Sequence, residues 1–465
     1  EEPPAGGLPA DAWVDGPLRA PSSQRWWRWL AERPPFDFLA GKVLGGTSAV
    51  NGMVYGQGHP QDFPVPEEEV QAALEALGRP KLRRSHGLER LPPPFHAVVA
   101  AFAAAGIPWL GSHSHFPLKN GLGFSARWAS RWTAFDQALG PQRNTTALSG
   151  NAPASAGGAA VLKRARARRL LFTRGGEGQR KSVRAVEVVL DGNVTWQMPT
   201  PRVVLAAGVI GTPSLLLASR VVAHCNTTAV GRGLQDHIGF RTLFSLRGAS
   251  CDDRTFGGVG AWTRAVVQAN LDSRTNVELV AYLGGSRPDA QVVLQPMCGG
   301  TGPETRLAFN VNIILLRGAT RGQVFQKALG EPGRSRERAP KVDFRVAEED
   351  MEALMRIFTF LRTSVFNSPL FASYPVDIHP IGMFPAVDDR EGLYQHILKR
   401  LQNFYHMAGT MHGALDDRLR LEGCDGVRVA DASAFPNPVV GHPDVPTRVL
   451  GRVAAKYLLE DEGLL

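Results

Sequence analysis

The sequence predicts a mixed α/β protein whose two domains interleave along the chain, and three observations predict it. At 465 residues the chain exceeds what one ordinary hydrophobic core organises. Short apolar runs at residues 203–207 and 427–429 read as buried strands and alternate with stretches of helical periodicity. No linker marks a domain boundary, as expected when segments return to a domain the chain has already left.

Residues 1–40 are rich in proline and tryptophan and carry no clear period, and a glycine-dense stretch covers 41–63. Residues 67–77 read as a helix, followed by a basic loop at 81–84, and a second helix is expected over 95–105. The run 203–207 reads as a strand ended by Gly208, and Pro213, a favoured first-turn residue, is expected to open the next helix. Residues 307–316 read as a strand, with Gly318 and Gly322 marking the turn into Gln323-Val324-Phe325. Over 348–365, Met351, Leu354, Met355, Phe358, Leu361 and Val365 share one helical face. A last short strand at 427–429 leads into Asp431, and there is neither an internal repeat nor a heptad pattern.

Composition excludes several classes. Apolar content of 43% and charged content of 20% suit a soluble globular chain rather than a disordered one. No apolar run reaches the roughly 18 residues that span a bilayer, and the best candidate, 98–110, is broken by Gly106 and Pro108. The net charge of +9 is arginine-heavy. Its densest run, Lys163-Arg164-Ala165-Arg166-Ala167-Arg168-Arg169, alternates before Leu170-Leu171-Phe172, as a strand with one solvated face would. No aromatic interleaving accompanies it, so a nucleic-acid partner is not expected. Cys225, Cys251, Cys298 and Cys424 are scattered without a Cys-x-x-Cys pair, which argues against structural zinc or another bound metal. Asn144, Asn193 and Asn226 head sequons that would permit glycosylation of a secreted protein, and the chain opens at Glu1 without methionine, which favours a secreted or organellar location.

Three constellations carry chemistry. In Gly41-Lys42-Val43-Leu44-Gly45-Gly46-Thr47-Ser48-Ala49-Val50-Asn51-Gly52, continuing to Asp62-Phe63, paired glycines let a backbone approach a flat or anionic ligand closely, and Thr47, Ser48 and Asn51 offer polar side chains. In Ala206-Ala207-Gly208-Val209-Ile210-Gly211-Thr212-Pro213, a strand ends in glycine and opens a helix, which brings backbone N–H groups to a phosphate-bearing cofactor. Near the C-terminus, Tyr405-His406-Met407, Asp431-Ala432-Ser433 and Gly441-His442-Pro443-Asp444 place two histidines and two carboxylates in short loops. An imidazole titrating near neutrality can take the hydroxyl proton of an alcohol.

The first string closely resembles the opening signature of the glucose–methanol–choline (GMC) oxidoreductases, departing near its end at Pro64. The second resembles that family's second signature, departing at Val209, Arg220 and Val222. Val230-Gly231-Arg232-Gly233-Leu234-Gln235-Asp236-His237 resembles the stretch that follows, with Gly233 where asparagine is usual. The resemblance implies an FAD-binding domain, incomplete at its N-terminus, in segments 1–64, 151–245 and 402–465. A substrate domain built on an antiparallel sheet with helices would occupy 65–150 and 246–401.

It further implies that Gly45, Gly46, Thr47, Ser48, Asn51 and Gly208 lie along the flavin and its diphosphate. Asp431, with Ala432, would stand near the ribityl portion, and Asp444 occupies a place where asparagine is common. His406 takes the place of the catalytic histidine and His442 the second catalytic position. The implied activity is oxidation of a small-molecule alcohol to a carbonyl compound, with hydride passing to flavin N5. The flavin is expected to be non-covalent, because Val50 stands where a covalently linked histidine would.

The family's Gly-x-Gly-x-x-Gly opening is not found: Gly56-Gln57-Gly58 and Gly231-Arg232-Gly233 lack the third glycine. Three accounts stay open. The stretch is incomplete, a protein partner supplies the missing strand–helix–strand unit, or the chain is a structural subunit that has lost flavin. A hydroxynitrile lyase, using the same two histidines without net redox, is a further alternative. The sequence does not identify the substrate.

Overall fold

The computed structural model describes residues 26–30, 36–42, 45–78, 81–82, 88, 93–113, 117–128, 162, 165–173, 179–190, 194–250, 278–299, 306–326, 340–373, 376–379 and 385–465. Among these, eight strands form the principal sheet. Its order is Val376–His379, Ile238–Ser250, Arg306–Leu315, Pro288–Gly299, Leu279–Gly284, Gly121–Phe124 and Trp109–Ser112, with Leu401–Asn403 also pairing on Ile238–Ser250. The pairings are antiparallel except that of Trp109–Ser112 with Gly121–Phe124.

Alternation along the strands separates two faces. Phe309, Val311 and Ile313 turn to one, joining Phe240 and Phe244 in the larger core. Helices Pro93–Ala104 and Glu348–Phe360 cover that face, with Phe95 edge-on to Phe309 and Phe358 edge-on to Phe240, centroids 5.2 Å apart in each pair. Fully burying a phenylalanine contributes about 1.5–3 kcal/mol, so these contacts fix the helices firmly. The opposite face carries Val280, Tyr282, Val293 and Ile314, which meet Leu118, Leu316 and Val440 in a small separate cluster.

The apolar face expected over 348–365 is realised as the helix Glu348–Phe360 running into a single π-type turn, Leu361–Val365. Its three opening acids suit the positive end of the helix dipole. One of them, Asp350, turns inward and accepts from Ala319 N–H at 2.6 Å and from Thr320 N–H at 2.9 Å. That contact shapes the turn into Gly322–Gln326, which joins Pro340–Asp343 and Arg232–Leu234 in a three-stranded sheet.

A second core surrounds the parallel pair Val203–Leu205 and Val427–Val429. Helices Glu67–Leu77 and Asp444–Asp461 pack into it and against each other, tied by Lys456 and Glu69 at 2.6 Å. The 67–77 helix therefore packs with the C-terminal segment rather than under the large sheet. The basic run enters the strand Ala165–Phe172, but instead of the expected alternation residues 166–169 are all exposed, with a register shift between Ala167 and Arg169, and only Leu170 and Phe172 are buried. It pairs with Lys181–Leu190, whose buried Glu187 accepts from Arg169 at 2.8 and 3.0 Å.

Three local features differ from the sequence reading. Residues Trp26–Leu30 form a strand paired with Asp37–Gly41. The helix expected to open at Pro213 instead spans Gly208–Ala218. Its start is set from far away: Asp431 Oδ2 accepts the Gly208 N–H at 2.9 Å and the Thr212 hydroxyl at 2.5 Å, across 223 and 219 residues. Cys225 and Cys424, which gave no pairing signal 199 residues apart, form a disulfide with Cα atoms 5.0 Å apart. Asn144, Asn193, Cys251, Lys163, Arg164 and residues 83–84 lie outside the described residues.

The disulfide pins the end of the short helix Val221–Cys225 to the strand Cys424–Asp425 in the second core. Replacing both cysteines by alanine should lower the unfolding free energy by about 2–4 kcal/mol, measured by urea denaturation under oxidising conditions. Wild-type protein treated with a reductant should then match the double variant. Equal stability of oxidised wild type and variant would rule the bridge out as a stabilising element.

Candidate functional site

The glycine-rich stretch folds into a tight loop because its glycines accept left-handed backbone. Gly45 and Gly46, which open the 3-10 turn Gly46–Ala49, have φ of 85° and 57°, and a Cβ on Gly41 would stand 2.5 Å from the Gly46 carbonyl oxygen. The side chains brace the loop from within. Ser48 Oγ donates to the Gly45 carbonyl at 2.5 Å, Thr47 Oγ1 accepts from Gly41 N–H at 3.1 Å, and Asn51 Oδ1 accepts from Met53 N–H at 3.1 Å. A Cβ placed on Gly46 would meet nothing within 4 Å, so the backbone itself is the open surface there.

The far end of the loop reaches the histidines. Asp62 is buried; its Oδ2 accepts from the N–H groups of His59 at 2.7 Å and Val440 at 2.8 Å, and its Oδ1 accepts from Arg287 at 2.6 Å. Burial pushes this carboxyl upward, against the Arg287 charge and those N–H donors. Gly56 lies alongside, where a Cβ would come 3.6 Å from the His442 backbone nitrogen. Gly441, at φ 90°, leaves no space for a side chain against Leu118 and the Tyr282 hydroxyl.

Three imidazoles stand in a row. His406 and His442 have ring centroids 4.7 Å apart at 73°, and His237 Nδ1 lies 2.9 Å from His406 Nδ1. A hydrogen bond between two Nδ1 atoms requires that only one carry the proton. Asp236, beside His237, turns to the backbone: it accepts from the His406 N–H at 2.7 Å and the Asn403 amide at 3.0 Å, and also holds the N–H groups of His237 and Tyr405. Burial raises it to about 7, with those hydrogen bonds opposing. Tyr405 is held at φ 62°, an uncommon conformation for a non-glycine residue directly before His406.

The rings are neutral at pH 7. Burial pushes His442 down to about 3, helped by the charge of Arg127 and by any proton His237 would carry. Burial and His442 lower His406, and burial and His406 lower His237. Buried His442 Nδ1 has no hydrogen-bond partner, so the site offers a polar atom to whatever fills it.

The other expected positions fall into two groups. Gly208 and Asp431 meet at the helix start, where Asp431 Oδ1 also accepts from the Ser433 N–H at 2.9 Å and its hydroxyl at 2.5 Å. Ala432 follows in the 3-10 turn Ala432–Ala434. Asp444 opens the C-terminal helix and is engaged by Arg448 at 3.2 Å, with no hydrogen bond to the histidine row.

Profiles described as GMC oxidoreductase match residues 31–239 for the N-terminal domain and 326–451 for the C-terminal domain. The chain belongs to the GMC oxidoreductase family. The oxygen-dependent choline dehydrogenase of Sinorhizobium fredii is 25% identical to it over 94% of this chain and 86% of the relative. That of Rhizobium etli is 26% identical with the same coverage. Among solved structures, a formate oxidase variant of Aspergillus oryzae RIB40 superposes with a TM-score of 0.69 at 18% identity, covering 95% of this chain and 90% of that one. The pyridoxine 4-oxidase of Mesorbium loti gives 0.64 at 18% identity, covering 93% and 88%. The fold is therefore that of the GMC flavoprotein oxidases, a mixed α/β architecture with antiparallel sheets.

Sequence reasoning about this GMC oxidoreductase missed His237, Asp236, Asp62 and Arg127. The first three lie inside strings already singled out, and the adjacent Asp236-His237 pair was the available signal. Arg127 had none.

The low titration of His442 makes a prediction about stability. As the pH falls, the unfolded chain, with His442 near 6.5, binds the proton before the folded chain, near 3, does. The stability His442 contributes is therefore whole above pH 6.5 and lost on descent toward about 3. The stability difference between wild type and His442→Asn, from urea unfolding at a series of pH values, should shift against wild type across that window. A difference independent of pH would contradict the low titration.

Proposed function

We propose that the protein oxidises an alcohol to its carbonyl compound, with non-covalent FAD as hydride acceptor and His406 and His442 as base and oxygen-stabilising partner. Family membership supports oxidoreductase chemistry, and the relatives are named as choline dehydrogenases, a formate oxidase and a pyridoxine 4-oxidase. The observation that carries the reading is the contact between His406 and His442, ring centroids 4.7 Å apart.

The residues present fit a flat cofactor ring. The Gly46 backbone is open, the Gly208 position is likewise clear within 4 Å of an added Cβ, and His442 Nδ1 is buried without a partner. Gly45, Gly46, Thr47, Ser48 and Asn51 would hold it from one loop, with Gly208, Asp431 and Ala432 at the helix start. Asp444 would contribute through the C-terminal helix. When bound, FAD supplies a two-electron acceptor for the carbinol hydride.

The chain's own work is proton handling. With the shared proton on His406 Nδ1, donated to His237, the Nε2 lone pair of His406 is free to accept the hydroxyl proton. His442 then donates to the substrate oxygen, favouring the alkoxide. A low intrinsic basicity keeps His406 unprotonated, so the accepting form is fully populated at neutral pH.

Removing the base should be costly. His406→Ala in the flavin-loaded protein should lower the rate of flavin reduction by alcohols by about 10²–10⁴-fold, followed as bleaching of the visible flavin band in a stopped-flow instrument. The wild-type rate should stay level down to below pH 6.5, because burial holds His406 under its ordinary value. A native protein that neither carries nor takes up flavin would defeat the proposal and leave a structural role for the fold.

A further inference from the structure

The sheet face opposite the larger core carries polar side chains beside the histidine row. Pairing aligns Arg241 with Asn312 and Val293, and in the next row Leu243 with Asn310 and Gln295. This floor reaches the histidines through Tyr282, whose hydroxyl would meet a Cβ on Gly441 at 3.1 Å. The charge of Arg127 is felt at His442, and that of Glu278 at Tyr282.

The hydrogen bonds on the floor run in fixed directions. Arg127 donates to both oxygens of Glu278 at 2.8 and 2.9 Å, and also to the Gly52 carbonyl at 2.9 Å. Gln295 donates to Glu278 at 2.5 Å, and Asn310 to the Gln295 carbonyl oxygen at 3.1 Å. Glu278 is thus neutralised and saturated with donors. Arg241 differs. Its Nε donates to Asn312 Oδ1 at 2.7 Å, its side chain is exposed although its strand lies inside the sheet, and among the described residues it has no carboxylate partner. That bond fixes the direction of the guanidinium from a buried acceptor. The exposed surface therefore presents the guanidinium edge of Arg241, oriented by buried Asn312.

We propose that the alcohol taken at the histidine pair carries an anionic group, a carboxylate several bonds from its carbinol, and that Arg241, held in place by Asn312, receives it. Guanidinium and carboxylate match in a two-pronged geometry that an uncharged or cationic group cannot use. Arg241 lies four residues beyond His237 along the strand, about 13 Å between Cα atoms at the usual rise, so the two ends of the substrate are separated rather than adjacent. A quaternary ammonium would find its natural partner, Glu278, already occupied by Arg127. The inference rests on the alcohol oxidation proposed above and adds the class of alcohol.

The test compares ω-hydroxyhexanoate, its methyl ester and choline as substrates of the flavin-loaded protein. Calorimetric binding of ω-hydroxyhexanoate to wild type, Arg241→Gln and Asn312→Asp runs beside it. The acid should exceed its ester in kcat/KM by about tenfold or more, mainly through KM, and choline should fall below the ester. Both variants, shown to be folded by circular dichroism, should lose most of that preference and bind the acid at least about tenfold more weakly. An ester as good as the acid, a preference for choline, or acid binding indifferent to both substitutions would overturn the proposal. If binding depends on Arg241 but no alcohol is oxidised, the oxidation reading fails and the acid site stands.

Discussion

A carboxylate with no access to solvent, Asp62, sits where three distant segments meet, and the candidate site depends on it. Its partners are His59 at the end of the glycine-rich loop, Arg287 in a turn of the large sheet, and Val440 two residues before His442. Burying a carboxylate costs several kcal/mol unless donors replace water, and these three replace it. The same contacts that make the burial tolerable fix the loop and the His442 segment to the sheet. Asp236 does the corresponding work for His406, spending its oxygens on backbone N–H groups rather than on a ring. Each histidine of the pair is thus set by its own buried acid, on its own segment. Their mutual placement is only as good as the packing between the two cores.

That division explains what the sequence made legible. The strings around Gly45, Gly208, His406 and His442 are contiguous, so their chemistry could be read residue by residue, and the apolar periods at 67–77 and 348–365 gave helices close to those observed. What escaped was non-local. The Gly208–Ala218 helix begins where Asp431 reaches across the sequence, and Pro213 misled because its local preference for a first turn lost to that tertiary cap. The Cys225–Cys424 bridge spans 199 residues and had no spacing rule to announce it. Asp62 and His237 were in view as letters of a motif, but their roles need the partners that only folding brings.

The meeting of the two cores has a physical consequence at the site. The large sheet contributes its polar face and Tyr282, the second core contributes the Gly441–His442 loop, and the small cluster of Leu118, Val280, Ile314 and Val440 seals the seam between them. An apolar seam of this kind excludes water beside the histidines, which is also what depresses their basicity. Desolvation and positioning are therefore one structural fact here. Opening the seam to hydrate the site would relax His442 toward its ordinary titration and loosen its alignment with His406 together.

The arrangement differs from a serine–histidine–aspartate relay in one respect that bears on the chemistry. There a carboxylate faces the histidine Nδ1 and stabilises the imidazolium that forms. Here the Nδ1 of His406 faces another neutral imidazole, and the nearby acid, Asp236, is turned to the backbone. A proton taken up by the His406 ring meets no carboxylate hydrogen-bonded to that ring, since Asp236 reaches only the backbone N–H. In the proposed reaction its compensating charge is the alkoxide created by the same transfer. The two charges are worth most to each other in a dry site, and the alkoxide disappears as the carbonyl forms. Such a base holds its proton strongly only while the substrate oxygen is negative and gives it up once the product is neutral, a property that a carboxylate at Nδ1 would remove.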